Sequence, residues 1–251
     1  MNLRPLIQPD THWLDDLSSR KAGTVALTAC CGLMLYGFTV GFWRSPVMGL
    51  YVAVKLPLLV GLTLLCNGLL NGLLGMLLGS GLGFRQSLFA LLSSFALAAL
   101  VLGSLAPVTF LLAWNAPPPT SPAAEISHAA YLLTHTALIA FAGASANIHL
   151  HRMLGHHAPT RRAALLTLCA WLGGNAFLGA QFSWILRPFF GSPSLDVAFL
   201  RPEPMRGNFY EAVWASFGRI TDGHQIQVLC LLALLSLAAA ATHLHQRKKR
   251  P

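Results

Sequence analysis

The stretch LPLLVGLTLLCNGLLNGLLGMLL, residues 56–78, contains no charged side chain. A helix needs about 20 mostly apolar residues to cross the ~30 Å hydrocarbon core of a bilayer. This stretch therefore predicts a transmembrane helix. A membrane barrel is not predicted, because its strands are short and alternate in polarity.

Five further stretches satisfy the same criterion, so the sequence predicts an all-α, polytopic membrane helix bundle. Pro107 predicts a kink near the end of the third span. The bundle, residues 23–245, is expected to follow an N-terminal segment (1–22) and to precede a basic tail (246–251). The six predicted spans cover residues 23–42, 56–78, 87–112, 127–148, 163–184 and 226–243.

The composition excludes most classes of soluble protein. Of the 251 residues, 55% are apolar and only 10% are charged, whereas a soluble domain carries about 25% charged residues. The net charge of +9 would suit a nucleic-acid partner. The basic residues instead border the apolar runs, where they orient membrane proteins. We therefore expect the lipid bilayer as the main partner and no nucleic acid.

The distribution of Lys and Arg predicts an orientation. With six spans, 11 of the 17 basic residues fall on the side of the two termini. The positive-inside rule then places both termini in the cytoplasm of a multi-pass inner-membrane protein. A five-span alternative would move the basic tail outside, against this bias. The first 22 residues carry three Asp and no compact apolar region, so no cleavable signal peptide is predicted.

Small and amide residues form two stripes on the second predicted span. Beside the glycine stripe, Thr63, Asn67 and Asn71 lie four residues apart. Small residues let helices approach closely in lipid, and amides hydrogen-bond across the contact. We expect an intramolecular packing seam, with a homodimer seam or a polar translocation path as the alternative. The glycines share a sector about 60° wide at 100° per residue and are Gly61, Gly68, Gly72, Gly75 and Gly79.

The start of the second span is predicted from a lysine and a proline. Pro57 is expected in the first helical turn, where its missing N–H costs nothing. Lys55 just before it is expected to snorkel to the interface.

Polar residues inside the predicted spans define a candidate intramembrane site. His135 lies within the fourth span, and an intramembrane ionisable residue is a functional hypothesis by default. A neutral histidine bonded to a neighbouring helix is the favoured interpretation. In the alternative, a solute path would be lined by His135, Asn175 and Gln181 together with Asn67 and Asn71.

No pattern of catalytic or metal-binding residues is found. The histidines at 149, 151, 156 and 157 follow the fourth span, but their spacing matches no standard site. We expect flexible interfacial histidines and no bound metal. The sequence has no Walker A loop, dinucleotide fingerprint or haem-attachment motif. No catalytic residue and no cofactor are therefore predicted, and an enzymatic role is disfavoured.

The segment after the fifth span is rich in prolines, which forbid a continuous helix. We expect a structured, re-entrant lid that seals the bundle; the alternative is an anionic head-group site at Arg187 and Arg201. A partly buried charge is costly unless paired. We therefore predict that these arginines pair with loop carboxylates (Asp196, Glu203 or Glu211) or with backbone carbonyls at helix ends.

A short amphipathic helix is predicted just before the sixth span. Asn208 can cap it, and Glu211 occupies the third helical position, as a capping box requires. Phe209, Val213 and Phe217 cover one face. The helix is expected to lie in the membrane interface.

Two sets of motifs carry a resemblance to known proteins. The first is KLPLL with Thr63, followed by FRQ; the second comprises LRPFFGSP (186–193), FLRP (199–202) and GNFYE (207–211). Together they resemble a group of bacterial multi-span membrane proteins, similar in layout to Yip1-domain proteins. The resemblance implies a bacterial inner-membrane bundle and supplies no catalytic residues. The Asp-Pro-Tyr-Gly type motif of the Yip1 family is absent.

These features favour a non-enzymatic scaffold or assembly partner in the inner membrane. It would act as a homo-oligomer or within a membrane-protein complex. A transporter or channel component for a small or lipid-like solute is the alternative, and an enzyme acting on lipids comes third.

Overall fold

A computed structural model of the protein describes residues 4–7, 13–15, 17–192, 196–211 and 214. Every regular element in these ranges is a helix, which confirms the all-α prediction. Five helices are long and apolar enough to cross a membrane, the architecture of a multi-pass membrane protein. The sixth predicted span, and the predicted interfacial helix beyond its first turn, lie outside the described residues.

A short helix, α1 (Arg4–Ile7), precedes the five long ones. Because short turns join the long helices, successive helices alternate in direction. The end of the bundle that holds residues 43–45 and 116–123 is called the lid end, after the lid segment described below. The opposite end is called the N-terminal end. The long helices are α2 (Ser19–Phe42), α3 (Pro46–Leu77), α4 (Phe84–Asn115), α5 (Ala124–His157) and α6 (Arg161–Ile185).

Helix α3 starts ten residues earlier than the sequence predicted. Ser45 caps it by accepting a hydrogen bond from the backbone N–H of Met48 (3.0 Å), and Pro46 occupies the first turn. Pro57 is therefore an interior proline, and its predicted place in the first turn is wrong. The sequence prediction puts the membrane boundary at the charge of Lys55. Helix α3 instead continues through this residue.

Glycines of α2 allow close backbone contacts with the neighbouring helices. A Cβ at Gly32 would overlap the backbone carbonyl of Ala99 in α4, and one at Gly37 would lie 2.6 Å from a carbonyl oxygen of α3. Gly103 of α4 faces Gly32, so both helices have a glycine at this crossing. Small residues allow such approach in lipid. This seam is not among the contacts predicted from the sequence.

Three of the predicted seam glycines on α3 pack against large side chains. A Cβ at Gly68 would lie 2.9 Å from Leu88, and one at Gly75 would lie 2.9 Å from the ring of Trp171. Gly72 is covered by the ring of Phe84. The contacts run to both α4 and α6, so this part of the stripe is intramolecular.

The two outermost glycines of the predicted stripe do not belong to the seam. A Cβ at Gly61 or Gly79 would meet nothing within 4 Å. Gly79 lies just beyond the end of α3 with φ +70°, a conformation that favours glycine. The N–H groups of Gly79 and Ser80 bond to the carbonyls of Met76 and Gly75, as in a Schellman motif. Gly79 therefore ends the helix.

The described part of the N-terminal segment packs on the N-terminal end of the bundle. Trp13 donates its indole N–H to Ser93 Oγ (3.1 Å), and Gln86 donates to the carbonyl of Leu14 (3.1 Å). Lys21 donates to the carbonyl of Trp13 (2.6 Å) and lies 4.0 Å from its ring centroid. These contacts tie the segment to α4.

The helices differ in how much of their surface the described bundle covers. The most apolar windows of α2 and α4 are 44% and 50% buried, against 22% for α5 and 17% for α6. Helices α2 and α4 therefore form the centre, and α5 and α6 lie at the periphery.

The α2 seam can be tested by adding one methyl group. Gly32→Ala should lower the free energy of unfolding by about 1–3 kcal/mol, because overpacking forces helix backbones apart. Gly143→Ala is the matched control, since Gly143 lies inside α5 with nothing within 4 Å. Alanine there should leave stability unchanged or raise it. Thermal unfolding in detergent measures the stability of both variants. Equal effects of the two substitutions would contradict close packing at the α2 seam.

Candidate functional site

Three asparagines from two helices meet inside the bundle. Asn67 and Asn71 of α3 each donate their side-chain N–H to Oδ1 of Asn175 in α6, at 3.0 and 3.1 Å. Trp171, one turn before Asn175, donates to the backbone carbonyl of Asn71 (2.6 Å). The i, i+4 spacing on each helix directs these groups to one face. We call these four residues the asparagine cluster; it bonds α3 to α6.

The asparagine cluster has hydrogen-bonding capacity that the described residues do not use. The Oδ1 atoms of Asn67 and Asn71 are buried and have no partner among those residues. Exchanging the ends of all three amides would keep the contacts with Asn175 and leave two buried NH₂ groups instead. In either orientation two polar ends remain.

A second polar cluster surrounds His135. His135 and Tyr36 are both fully buried, and Nδ1 of His135 lies 2.7 Å from the hydroxyl of Tyr36 in α2. The ring of Tyr131 lies 4.3 Å from the imidazole and that of Phe190 5.8 Å, between centroids. We call these four residues the His135 cluster.

Hydroxyl groups extend this cluster towards α4. Tyr131 donates its hydroxyl to the backbone carbonyl of Thr39. The hydroxyl of Thr39 lies 2.8 Å from that of Thr109 in α4. Tyr36, Thr39 and Thr109 are not among the residues predicted from the sequence. The available signal was the presence of hydroxyl side chains within otherwise apolar spans.

The residues predicted to line a solute path do not form one group. His135 contacts α2 and Phe190, whereas Asn67 and Asn71 contact α6. Gln181 lies six residues after Asn175, about 240° around α6, and so on another face. The structure thus divides the predicted lining between two sites.

Lys55 is buried beneath the segment that follows α6, which we call the lid (186–192 and 196–204). Its ammonium group donates to the carbonyl of Pro188 (2.6 Å). It also lies 5.7 and 5.1 Å from the ring centroids of Phe189 and Phe199. Lys55 is 0% exposed, so the prediction that it snorkels to the interface is wrong. It lies about 14 Å along α3, where a carbonyl and aromatic faces replace water.

Further contacts hold the lid against the bundle. Phe199 packs edge-on against Tyr51 of α3 (5.4 Å between centroids). Arg44, in the turn after α2, donates from Nε to the carbonyl of Ser192 (3.0 Å). Gly191 has φ +68°, and a Cβ there would lie 2.8 Å from Cγ of Arg44. Glycine is needed here for both reasons.

Arg187 makes its described contacts with the end of α6. Its guanidinium donates to the carbonyl of Trp184 (2.6 Å) and lies 3.6 Å from the centroid of the Trp184 ring. A backbone carbonyl at a helix end is one of the two kinds of partner predicted for it. Burial, and then the positive charge of Arg201, lower the pKa of Arg187. Arg201 is itself exposed.

The two predicted loop glutamates occupy different compact units. Glu203 is exposed, with φ 51°, and belongs to the unit that ends at Pro204. Glu211 belongs to the second unit, where its backbone N–H donates to Oδ1 of Asn208 (2.9 Å). This bond confirms Asn208 as a helix cap.

The four clustered histidines are helical, so their prediction as a flexible loop is wrong. Helix α5 extends to His157, about two and a half turns beyond the predicted end of its span. His149 is buried, His156 is exposed, and His157 lies 3.6 Å from the carboxylate of Asp15. No three His, Cys, Asp or Glu side chains of the described residues group to hold a metal ion. The apolar criterion ended the span early because the histidines and Arg152 after residue 148 interrupt the apolar run.

No protein-family model, curated protein or solved structure matches this chain.

Removing the shared acceptor of the asparagine cluster should weaken the contact between α3 and α6. Asn175→Ala deprives two buried amides of their partner. Each interhelical hydrogen bond in a membrane is worth about 0.6 kcal/mol on average and up to about 1.7 kcal/mol. We expect a loss of about 1–3 kcal/mol in thermal unfolding experiments in detergent. Leu166→Ala, at an exposed position on the side of the same helix opposite Asn175, is the control. Equal stability of the two variants would exclude a structural role for the cluster.

Removing the ammonium group of Lys55 should loosen the lid. Lys55→Met keeps the length of the side chain but loses the bond to Pro188, so chymotrypsin should cleave faster after Phe189, Phe190 and Phe199. Lys21→Met is a matched control, because Lys21 also combines a carbonyl bond with a ring contact, at the opposite end. Unchanged cleavage in the Lys55 variant, or equal acceleration in the control, would show that the ammonium does not hold the lid.

Proposed function

We propose that this chain is a non-enzymatic, multi-pass protein of the bacterial inner membrane that serves as a scaffold or assembly partner. The observation that carries the proposal is the use of its intramembrane polar groups. Asn175 bonds α6 to α3, and Tyr36 bonds to His135 between α2 and α5. Ser94 of α4 donates to the carbonyl of Ala146 in α5 (3.1 Å). Polar groups used in this way stabilise one arrangement of helices.

The contrast with a solute pathway supports the same proposal. A pathway requires polar side chains that face a common passage, whereas the asparagine cluster and the His135 cluster have different neighbours. The lid adds apolar packing at the His135 cluster, where Phe190 lies beside the imidazole. We therefore rank the transporter or channel component second.

The partner surface that we propose lies on α5 and α6. Leu133 of α5 is 66% exposed and Leu172 of α6 is 46% exposed. Apolar side chains can face lipid without cost, but they also offer the packing surface from which membrane complexes are built. The partner would be a second copy of the chain or another membrane protein.

The proposed orientation places the N-terminal end of the bundle in the cytoplasm. Arg20, Arg85, Arg161 and Arg162 lie at this end, which supports the assignment by the positive-inside rule. With the predicted sixth span, both termini are cytoplasmic. Reporter enzymes fused after residue 251 and in the turn between α4 and α5 should report opposite compartments; the same compartment would reject the six-span orientation.

A purification experiment tests the scaffold function. Cross-linked membranes, solubilised in mild detergent, should yield a stoichiometric complex that Leu133→Trp and Leu172→Trp weaken, because bulky side chains disturb a packed interface. Leu69→Trp is the control, since Leu69 is 64% exposed on α3. A monomer without partners that moves a solute into liposomes would reject the scaffold in favour of a transporter.

A further inference from the structure

The lid encloses a pocket that the preceding functional proposal leaves without a role. Its volume is about 380 Å³, within the usual range for small-ligand sites. The polar part of its wall comes from Ser192, Asp196 and Arg201, and the remainder from Pro188, Gly191, Ala198 and Pro202. The polar part of the wall therefore combines a cation, a carboxylate, a hydroxyl and backbone groups.

The pocket lies at the lid end of the bundle, where aromatic side chains indicate the membrane interface. Trp43 closes α2, Trp114 is 67% exposed near the end of α4, and Trp184 lies in the last turn of α6. Tryptophan concentrates at the level of the lipid head groups. Phosphate groups are abundant at that level.

Positive charge predominates around the lid. Arg44 and Lys55 reach it from the bundle, and Arg187 and Arg201 belong to it. The described carboxylates of the lid are those of Asp196 and Glu203. Four cations thus face two carboxylates.

Two of the cations fix the backbone from which the pocket is built. Arg44 bonds to the carbonyl of Ser192, and Lys55 bonds to the carbonyl of Pro188; both residues line the pocket. Arg187, next to Pro188, is held by stacking on Trp184. Arg201 is a wall residue and is exposed, so its guanidinium is accessible to a ligand.

Arg187 and Arg201 are both lid residues, and Arg187 precedes Pro188, a residue of the pocket wall. Their repulsion contributes to lowering the pKa of Arg187, after the larger effect of burial. An anion in the pocket would be attracted by both positive charges and would form charge-assisted hydrogen bonds with Arg201. The planar, multi-donor guanidinium group suits phosphate in particular.

We propose that the lid pocket binds a phosphate group, with Arg201 as the contacting residue and Arg187 as the neighbouring charge. Asp196, on the same wall, opposes the anion and limits its affinity. The phosphate belongs either to the head group of an anionic phospholipid or to a soluble phosphate compound. Both sources present the same chemistry to the pocket.

The two sources can be separated with the full-length protein in maltoside micelles. One arm titrates inorganic phosphate at constant ionic strength and follows the unfolding temperature. The other arm adds phosphatidylglycerol, with diacylglycerol as the matched lipid that lacks phosphate, and detects retained lipid by native mass spectrometry. Stabilisation by phosphate alone indicates a soluble ligand, and selective retention of phosphatidylglycerol indicates a head group. The absence of binding in both arms would overturn the proposal.

Variants that remove a positive or a negative charge from the pocket wall test the location of the site. Arg201→Gln should weaken binding by about tenfold, the effect of one charge-assisted hydrogen bond. Asp196→Asn should strengthen binding, because it removes a negative charge that repels the anion. Arg162→Gln, an exposed arginine at the N-terminal end, should bind as the native protein does. Native-like binding by Arg201→Gln, equal weakening by Arg162→Gln, or weaker binding by Asp196→Asn would each reject the pocket as the site.

Discussion

The absence of water in the hydrocarbon core is the constraint on which this structure depends. A polar group placed there must find its partner within the protein, or it costs several kcal/mol. Tyr36 partners Nδ1 of His135 between α2 and α5, and Asn175 accepts from two amides of α3, although Nε2 of His135 and one end of each amide have no partner among the described residues. Lys55 satisfies the requirement with the carbonyl of Pro188, which draws the lid into the bundle. The polar residues thus determine which helices are neighbours.

Close packing supplies the second part of the stabilisation. Lipid tails are as apolar as leucine, so apolar side chains alone give helices little reason to associate. Glycines therefore matter where backbones meet. Gly32 and Gly37 bring α2 against α4 and α3, which leaves α2 at the centre with two close neighbours. The α3 glycines instead accommodate the rings of Phe84 and Trp171, so the same residue type serves two kinds of contact.

The sequence was sufficient to predict the helices but not their faces. Length and apolarity predicted five spans that the structure contains, because both properties can be read without knowing the neighbours. Gly61 and Gly72 lie in the same sector of α3, so the pattern could not distinguish the exposed Gly61 from the packed Gly72. The same limitation applies to Lys55, whose charge indicated an interface. Its partner, Pro188, lies 133 residues away, and no local pattern reveals such a pairing.

The packing of the N-terminal segment has a consequence for the order of events during biosynthesis. Trp13 and Leu14 emerge from the ribosome before α2, yet their partners Ser93 and Gln86 belong to α4. The segment therefore cannot take its final place until two more helices have been inserted after the first. Until then it lacks these partners, so its docking requires that the first three long helices are in place together. A segment that is made before α2 is thus among the later parts of this bundle to become ordered.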